Sequence, residues 1–306
     1  MKPRIVIICG PTATGKTACA IDVARKFDGE IVNADSMQSY RRLSIGTAKP
    51  TPEELASARF HLVDAIDVNV NFSAGFFKEL ADAAIAEIVS RNKLPVIAGG
   101  TGLYLKALTQ GLFEGPGADF ALRERLAQQE AANPGSLYER LRVVDPEKAA
   151  GLPPTDSSRI MRALEVFELT GVSMTEHQRA HAFAERPYHP LWIGLEMDRE
   201  RLYARINERV DRMMEVGWLD EVRHLMETGF DHDCAAAGAL GYRTLMAHLR
   251  GEIDLADAVE RIKTDTRKFA KRQLTWYRAN PEIHWLAYPE KLNDILNTVD
   301  AFLRGE

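Results

Sequence analysis

The chain of 306 residues contains few cysteines, and no two of them have a spacing that would bind a metal. The three cysteines are Cys9, Cys19 and Cys234, and none belongs to a C-x-x-C pair. This count excludes a disulfide framework and a zinc site of the usual spacing. It is typical of a protein in a reducing cytosol, so we expect a cytoplasmic location.

Long apolar runs and an excess of positive charge are also lacking. The first apolar run covers only residues 5–9, which is too short for a signal peptide or a membrane span, so we expect no membrane partner. The formal net charge is −5, so a site for nucleic acid would have to be a local basic patch. The composition, with 45% hydrophobic and 27% charged residues, is that of an ordinary globular protein, and we expect a monomer.

A phosphate-binding motif follows the first apolar run. Gly10 is followed by four residues and then by Gly15, Lys16 and Thr17, which completes the pattern G-x-x-x-x-G-K-[ST]. The apolar run predicts a buried strand and residues 18–26 predict a helix, so the motif has the context that it requires. Glycines let backbone N–H groups surround a phosphate, while Lys16 adds a mobile charge and Thr17 a hydroxyl for Mg²⁺. We call residues 10–17 the phosphate loop.

Two further predicted strands end in polar residues. The strand over residues 29–35 ends in Asp35, and the strand over residues 94–98 continues into Gly99-Gly100-Thr101. Ligands of open α/β sheets bind at the carboxyl ends of the strands, so Asp35 and Thr101 are expected near the phosphate loop. Many phosphate-loop hydrolases carry at the second place an Asp that assists the magnesium ion, whereas this chain has a neutral hydroxyl. The alternatives are a capping or turn role for Asp35 and a capping role for Thr101.

The fold class indicated is α/β, with a parallel sheet of the P-loop nucleoside-triphosphate-hydrolase type and an inserted small all-helical domain. Breaks at residues 114–117 and 186–190 bound a stretch without convincing strands, so we predict an insert over residues 115–186. Residues 1–114 and 187–306 would form the α/β core with a C-terminal helical part. Further predicted elements are helices at 73–90, 120–132, 135–143 and 159–169, an edge strand at 60–64, a strand at 191–195 and a long helical region at 198–228.

The segment from Arg261 to Arg278 is strongly basic, with seven Lys or Arg residues against one Asp. Unneutralised like charges destabilise a helix, so the segment indicates a polyanionic partner; a solvated helix face is the alternative. On a helix from residue 262 to 278, one side comprises Ile262, Phe269, Ala270, Gln273, Trp276 and Tyr277, and the adjoining basic stripe comprises Lys263, Arg267, Lys271 and Arg278.

Together these features resemble bacterial tRNA dimethylallyltransferases, the adenosine tRNA prenyltransferases, over nearly the whole chain. The sequence departs from the family pattern at Thr14, Ser39 and Ser158, where the family usually has Ser, Val and Gln. The matching stretches are residues 10–17, Asp-Ser-Met-Gln at 35–38, Gly-Thr-Ala-Lys-Pro at 46–50, Gly-Gly-Thr-Gly-Leu-Tyr at 99–104, Arg-Ile-Met-Arg-Ala-Leu-Glu-Val at 159–166, Gly-Trp-Leu-Asp-Glu-Val at 217–222 and Thr-Arg-Lys-Phe-Ala-Lys-Arg-Gln-Leu-Thr-Trp-Tyr-Arg at 266–278.

The resemblance implies transfer of a dimethylallyl group from dimethylallyl diphosphate to N6 of the adenosine 3′ of the anticodon, with release of diphosphate. Asp35 would be the catalytic base, Thr101 would donate to the bridging oxygen, and Thr17 would bind Mg²⁺. The insert and the basic helix would hold the tRNA anticodon stem-loop. The implied diphosphate-binding residues are Gly10, Pro11, Thr12, Ala13, Thr14, Gly15, Lys16, Thr17 and Arg223. The implied tRNA-binding residues are Asp35, Ser36, Met37, Gln38, Thr101, Arg123, Ser158, Arg159, Ile160, Met161, Arg162, Gly241, Tyr242, Arg243, Arg267, Lys271, Arg272 and Arg278.

A small-molecule kinase that uses the same loop for ATP is the competing hypothesis. The loop and the strand order agree with both functions, but the Gly-Gly-Thr strand end, the basic helix and the Arg-bearing insert favour the transferase. A GTPase-like switch would need an Asn-Lys-x-Asp stretch to recognise guanine, and the sequence has none.

Overall fold

The structure, a computed structural model, describes residues 2–113, 115–182 and 184–306. The chain divides into two compact units. Unit 1 comprises Met1–Thr109 and Pro187–Glu306, and unit 2 comprises Gln110–Arg186. The insert predicted over residues 115–186 therefore lies entirely within unit 2, which starts a few residues earlier.

Unit 1 is built on a parallel sheet with the strand order β3-β2-β4-β1-β5-β6. Every hydrogen-bonded pair of neighbouring strands runs parallel, which confirms the predicted fold class. Residues 5–9 are fully buried, because β1 lies inside the sheet and both of its faces are covered. The strands are β1 (Arg4–Cys9), β2 (Gly29–Asn33), β3 (Phe60–His61), β4 (Leu94–Ala98), β5 (His189–Glu196) and β6 (Ile283–Ala287).

Helices connect the strands of unit 1 and make up the secondary structure of the described part of unit 2. Unit 2 has its own core, which includes Leu126, Leu141 and Leu164. In chain order the helices are α1 (Lys16–Lys26), α2 (Pro52–Ser57), α3 (Ala74–Ser90), α4 (Gly102–Gln110), α5 (Phe120–Ala132), α6 (Ser136–Val144), α7 (Pro146–Ala150), α8 (Ser157–Thr170), α9 (Met174–His181), α10 (Arg199–Glu215), α11 (Trp218–Glu227), α12 (Tyr242–Leu249), α13 (Leu255–Arg278) and α14 (Leu292–Arg304), with a 3₁₀ turn at Ala235–Gly238.

Several predicted elements are confirmed. Strand β4 has the predicted bounds, and β3 is an edge strand, although it is shorter than predicted. Helix α3 begins after Ser73, whose hydroxyl accepts a hydrogen bond from the Phe76 N–H at 3.2 Å. None of the helices in the described part of the chain combines the length and the apolar character that a membrane span needs.

Other elements differ from the prediction or were not predicted at all, and α2, α4, α12, α14 and β6 belong to the second group. The helical region at 198–228 is two helices, because Gly217 has φ 99°, a left-handed conformation that ends α10 before α11 begins. Helices α7 and α9 were missed because both are short. Their start signals are nevertheless present in the sequence, with Pro146 in the first turn of α7 and a capping box between Ser173 and Glu176 at α9.

Candidate active site

The phosphate loop joins β1 to α1 in a conformation that its glycines permit. Gly10 has φ 133° and Gly15 has φ 94°, both in the region that other residues rarely adopt. A Cβ atom at Gly10 would lie 2.7 Å from the Leu195 carbonyl oxygen of β5. The buried Thr14 hydroxyl donates to the Pro11 carbonyl oxygen at 2.9 Å. The predicted strand–loop–helix arrangement is thus present, with the N-terminus of α1 at the loop.

Lys16 lies inside this loop. Its Nζ donates to the Pro11 carbonyl oxygen at 2.8 Å. Burial lowers the pKa of the Lys16 ammonium to about 8, with Asp35 acting to raise it and Arg209 to lower it. A bound anion would favour the charged form of Lys16, so the ammonium is suited to respond to a phosphate group.

Asp35 lies in a turn directly after β2. Its Oδ1 accepts a hydrogen bond from the Met37 N–H at 3.0 Å, which is the turn role considered as an alternative. Asn33 supports the turn from both sides, because its Oδ1 accepts from the Asp35 N–H at 3.2 Å and its Nδ2 donates to the Asp35 carbonyl oxygen at 3.1 Å. Ser39 is fully buried, and its hydroxyl donates to the Leu62 carbonyl oxygen at 2.9 Å. The Ser39 departure from the family pattern is therefore accommodated by hydrogen bonds.

The Thr101 side chain connects the ends of β4 and β2. Its Oγ1 accepts a hydrogen bond from the Ser36 N–H at 3.1 Å, and the Thr101 N–H donates to the Ala34 carbonyl oxygen at 3.2 Å. Ser36 Oγ lies 3.4 Å from Thr101 Oγ1, which is long for a bond between hydroxyls. The Thr101 hydroxyl therefore lies next to Asp35 and keeps a proton that it can donate to a ligand.

A cavity of about 460 Å³ in unit 1 brings these side chains together. Thr12, Asp35, Ser36 and Thr101 contribute polar atoms from the loop and from the strand ends. The cavity is thus suited to a ligand with an anionic group and an apolar part. The apolar lining comes from Met37, Ile206, Val210, Met213, Trp218, Ala239, Leu240 and Phe269.

Arg209 is a residue of this cavity that the sequence analysis missed. It lies on α10, and its Nη1 is 3.4 Å from Thr12 Oγ1 in the phosphate loop. Burial lowers the pKa of the Arg209 guanidinium, and the Asp35 carboxylate opposes that shift. Lys16 and Arg209 therefore place two cations near the loop, with Asp35 as a nearby negative charge.

Replacing Arg209 with methionine should weaken the binding of inorganic diphosphate about 10- to 100-fold, because a charge-assisted hydrogen bond is lost. Titration calorimetry measures the affinity. Arg209→Lys should recover part of it, and Arg212→Met on the exposed side of the same helix is the matched control. Equal affinities for the Arg209→Met and Arg212→Met proteins would show that Arg209 does not contact the anion.

The other predicted diphosphate ligand, Arg223, lies on α11. Its Nη1 pairs with the Asp220 carboxylate of the same helix, and its side chain is half exposed. Arg223 is not among the residues that line the described cavity. Its role in diphosphate binding stays a prediction.

Three stretches of the chain, around residues 46–50, 217–222 and 241–243, meet at Trp218. A Cβ atom at Gly46 would lie 2.1 Å from the Trp218 indole, and one at Gly241 would lie 2.3 Å from it. Glu221 accepts hydrogen bonds from the Ser44 and Ile45 N–H groups, both at 2.8 Å, and from the Tyr242 hydroxyl at 2.7 Å. The stretches around residues 46–50, 217–222 and 241–243 therefore form one packed wall of the cavity. Tyr242 is fully buried in this wall, and Arg243 donates to the His232 carbonyl oxygen at 3.1 Å.

The basic stripe of α13 is partly neutralised by α10. Lys263 forms an ion pair with Asp211 at 2.7 Å, and Arg267 donates to Asn207 Oδ1 at 2.5 Å. Lys271 and Arg278 are exposed. Trp276 shares a side of this helix with the buried Ile262 and Ala270, but it is itself 47% exposed. Arg272 lines the cavity, and its guanidinium carbon lies 5.7 Å from the centre of the Phe269 ring.

In unit 2, Arg123 and Arg162 surround a buried carboxylate. Arg123 donates to Glu165 at 2.8 and 2.9 Å, and Arg162 donates to it at 2.6 Å. Burial alone would raise the pKa of the Glu165 carboxyl, but these hydrogen bonds outweigh it and lower the pKa to about 2. Both arginines thus stabilise unit 2, and their contacts with tRNA stay predictions. Of the other predicted residues of α8, Ser158 and Arg159 are exposed, Met161 is half-buried and Ile160 lies in the core.

Glu165→Gln should destabilise unit 2 by about 1–3 kcal/mol at neutral pH, because two guanidinium groups lose their charged partner. The folded-state pKa of about 2 lies below the ordinary value of 4.5, so the stabilisation is complete above pH 4.5 and is lost as the pH falls toward 2. Amide exchange in α5 and α8 measures the effect. Glu124→Gln on the exposed face of α5 is the control, and equal protection in both proteins would contradict the structural role of Glu165.

Comparison with known proteins places the whole chain in one family. A family model described as IPP transferase matches residues 38–280. The chain belongs to the IPP transferase family. The chain is 50% identical to a "tRNA dimethylallyltransferase" from Geobacter metallireducens over 303 residues, which cover 98% of each chain. It is 48% identical to "tRNA dimethylallyltransferase 2" from Syntrophus aciditrophicus over 306 residues, 100% of this chain and 98% of that one.

Solved structures of similar proteins agree with this family membership. The chain superimposes with a TM-score of 0.74 and 36% identity on a tRNA isopentenylpyrophosphate transferase from Bacillus halodurans, covering 100% of this chain and 98% of that one. A eukaryotic dimethylallyltransferase described as acting on tRNA gives a TM-score of 0.82 at 28% identity, with 99% of this chain and 80% of that chain covered. The similarity therefore includes both units.

Proposed function

We propose that this protein moves a dimethylallyl group from dimethylallyl diphosphate to N6 of the adenosine 3′ of the anticodon in tRNA, and releases diphosphate. The observation that carries the proposal is one cavity lined by Asp35, Thr101 and Thr12 of the phosphate loop, with an apolar wall beside them. Relatives named tRNA dimethylallyltransferase support it. The kinase hypothesis has no comparable support.

The reaction joins N6 to the allylic carbon as the bond from that carbon to the bridging oxygen breaks. The electron pair leaves with diphosphate, and the nitrogen loses a proton. An exocyclic amine is a weak nucleophile, so a carboxylate within hydrogen-bond reach is needed as the base. Asp35 fits this role, because its Oδ1 is held by the Met37 N–H and its Oδ2 takes no hydrogen bond from the described residues. Thr101 donates to the bridging oxygen as its negative charge grows.

The phosphate loop holds the diphosphate in this proposal. The loop N–H groups other than that of Thr12, which donates to Gln273, and the N-terminus of α1 face the anion, while Lys16 and Arg209 balance its charge. The residues present fit Mg²⁺, which commonly takes phosphate oxygens and water with few protein ligands. The half-buried hydroxyl of Thr17, in the first turn of α1, would hold it together with diphosphate oxygens. When bound, Mg²⁺ offsets the charge of the leaving group.

The tRNA is bound through its phosphates and through one displaced base. The adenosine must leave the anticodon stack to reach the allylic carbon, and the apolar wall of the cavity offers a surface for its base. Lys271 and Arg278 on α13 are exposed cations that can contact RNA phosphates. Arg272 lies on the same helix as these cations and also lines the cavity, so it is placed between the RNA-binding surface and the reaction site.

The test is a prenylation assay with an unmodified anticodon stem-loop. The protein, Mg²⁺ and dimethylallyl diphosphate should yield N6-dimethylallyladenosine and one equivalent of diphosphate, detected by nucleoside mass spectrometry and phosphate analysis. A stem-loop with guanosine in place of the target adenosine is the matched control and should give no product. Robust phosphoryl transfer from ATP to a small acceptor, without any prenylated nucleoside, would overturn the proposal in favour of a kinase.

A further inference from the structure

Gln273 on α13 is hydrogen-bonded to two separate parts of the active site. Its Oε1 accepts from the Thr12 N–H of the phosphate loop at 2.8 Å, and its Nε2 donates to the Gly100 carbonyl oxygen at 2.9 Å. The side chain is buried, with 6% of the residue exposed. The helix that carries Lys271 and Arg272 is therefore joined to the phosphate loop and to the end of β4 by one amide.

Gly100 explains how this amide reaches the end of β4. A Cβ atom at Gly100 would lie 2.3 Å from Gln273 Nε2, so a larger residue there would displace the amide from its present position. Many phosphate-loop hydrolases carry an acidic side chain at the end of this strand. Here the strand is followed by Gly100 instead, and an uncharged amide from a distant helix donates to its carbonyl oxygen. The Gly-Gly-Thr sequence thus provides space for Gln273 as well as presenting Thr101.

The two hydrogen bonds end on neighbours of the reacting groups. Thr12 lies beside Arg209 on the diphosphate side. Gly100 precedes Thr101, whose hydroxyl accepts from the Ser36 N–H next to Asp35. An amide can accept at one end and donate at the other, which an ionised carboxylate cannot do. Gln273 therefore connects the diphosphate side of the cavity to the base side by two hydrogen bonds.

We propose that Gln273 is a positioning residue for prenyl transfer. It holds the phosphate loop in register with Thr101 and Asp35, and it fixes α13 to both. The inference rests on the proposed function, since the position of the phosphate loop relative to Asp35 matters only if a diphosphate and a base act in the same reaction. Gln273 itself does not contact the reacting atoms.

Gln273→Leu keeps most of the side-chain volume and removes both hydrogen bonds. We expect kcat per folded molecule to fall about 10- to 100-fold, the loss typical of a misplacement near 1 Å. The KM for the anticodon stem-loop should change less than about threefold, because the exposed cations of α13 remain. Amide exchange at Thr12 should accelerate in the variant, and this readout does not depend on activity.

The Gln273→Glu variant tests the hydrogen bond that Gln273 donates separately from the one that it accepts. The carboxylate can still accept from the Thr12 N–H, but it donates to the Gly100 carbonyl oxygen only when protonated. The ratio of variant kcat to wild-type kcat should therefore rise as the pH falls from about 8 to 5, whereas a role in packing alone predicts a constant ratio. Taking the ratio at each pH removes the titration of the shared catalytic groups.

The matched control is Gln129→Leu on the exposed face of α5, which should leave kcat unchanged. If the wild type does not prenylate RNA, the proposed function fails, and unchanged exchange at Thr12 in Gln273→Leu would separately refute the link to the loop. If the wild type is active, a Gln273→Leu protein with a normal kcat per folded molecule would overturn the inference. A pH-independent ratio for Gln273→Glu would also overturn it.

Discussion

Replacing Asp35 with alanine should lower the rate of prenyl transfer about 10²–10⁴-fold, the usual cost of removing a general base. The N6 amine must lose a proton as it attacks. A base from the solvent is not held in a fixed position, whereas a side chain of the cavity is. The affinity for tRNA should change much less, because Asp35 is not a phosphate contact. Single-turnover kinetics with preformed complexes measure the chemical step directly.

The Asp35→Asn variant distinguishes a role of Asp35 as the general base from a role as a hydrogen-bond acceptor in the turn. The asparagine Oδ1 can still accept from the Met37 N–H, so the turn after β2 keeps its hydrogen bond. If Asp35 is the base, the asparagine and alanine variants should be comparably slow, and the asparagine variant should melt at the wild-type temperature. An asparagine variant with near-normal turnover would assign Asp35 to the turn alone.

The sheet and the phosphate loop could be predicted from the sequence because their signals are local. Residues 94–98 form a short apolar run before glycines, and they become β4 with unchanged bounds. The phosphate-loop motif is flanked in the sequence by residues that predict a strand before it and a helix after it. The rule that ligands bind at the carboxyl ends of parallel strands then brings Asp35 and Thr101 to one edge. Their shared neighbour Ser36 shows that this part of the site was predictable.

Contacts between distant parts of the chain could not be predicted in this way. Gln273 and Thr12 are 261 positions apart, and Arg209 and Thr12 are 197 apart. Periodicity placed Gln273 on the same side of its helix as Ile262 and Ala270, yet it could not say which backbone groups the amide would meet. Trp276 shares that side by periodicity but is 47% exposed, so periodicity alone does not decide which residues of one helix side are buried.

The number of charged residues in a segment was also an incomplete guide to the RNA-binding surface. Seven cations in the basic segment indicated an RNA surface, but a count along the chain does not reveal acidic partners on other helices. Lys263 pairs with Asp211 of α10. In unit 2, Arg123 lies 42 positions from Glu165, so its buried partner was not visible as a neighbour. The cations that remain exposed, such as Lys271, are the better candidates for RNA contact.

Thr101→Ala should reduce kcat about 10- to 10³-fold, the range found when one donor to a developing oxyanion is removed. Negative charge builds on the bridging oxygen as the allylic carbon departs. A hydrogen bond to that oxygen is therefore stronger in the transition state than in the ground state, and it acts on kcat more than on KM. Because Thr101 Oγ1 accepts from the Ser36 N–H at 3.1 Å, its proton is directed away from that bond.

Three substitutions separate the donor from the structural contact. Thr101→Ser keeps both the acceptor for Ser36 and the proton, so it should retain substantial activity. Thr101→Val keeps the volume and removes the hydroxyl, so its kcat should fall as far as that of the alanine variant. The affinities for diphosphate and tRNA, measured by titration, should remain close to those of the wild type in all three. If serine is as damaging as alanine, or if the losses follow the melting temperature, then Thr101 is a structural residue between β4 and β2. The phosphate loop, with Lys16 and Arg209, would then stabilise the leaving group alone.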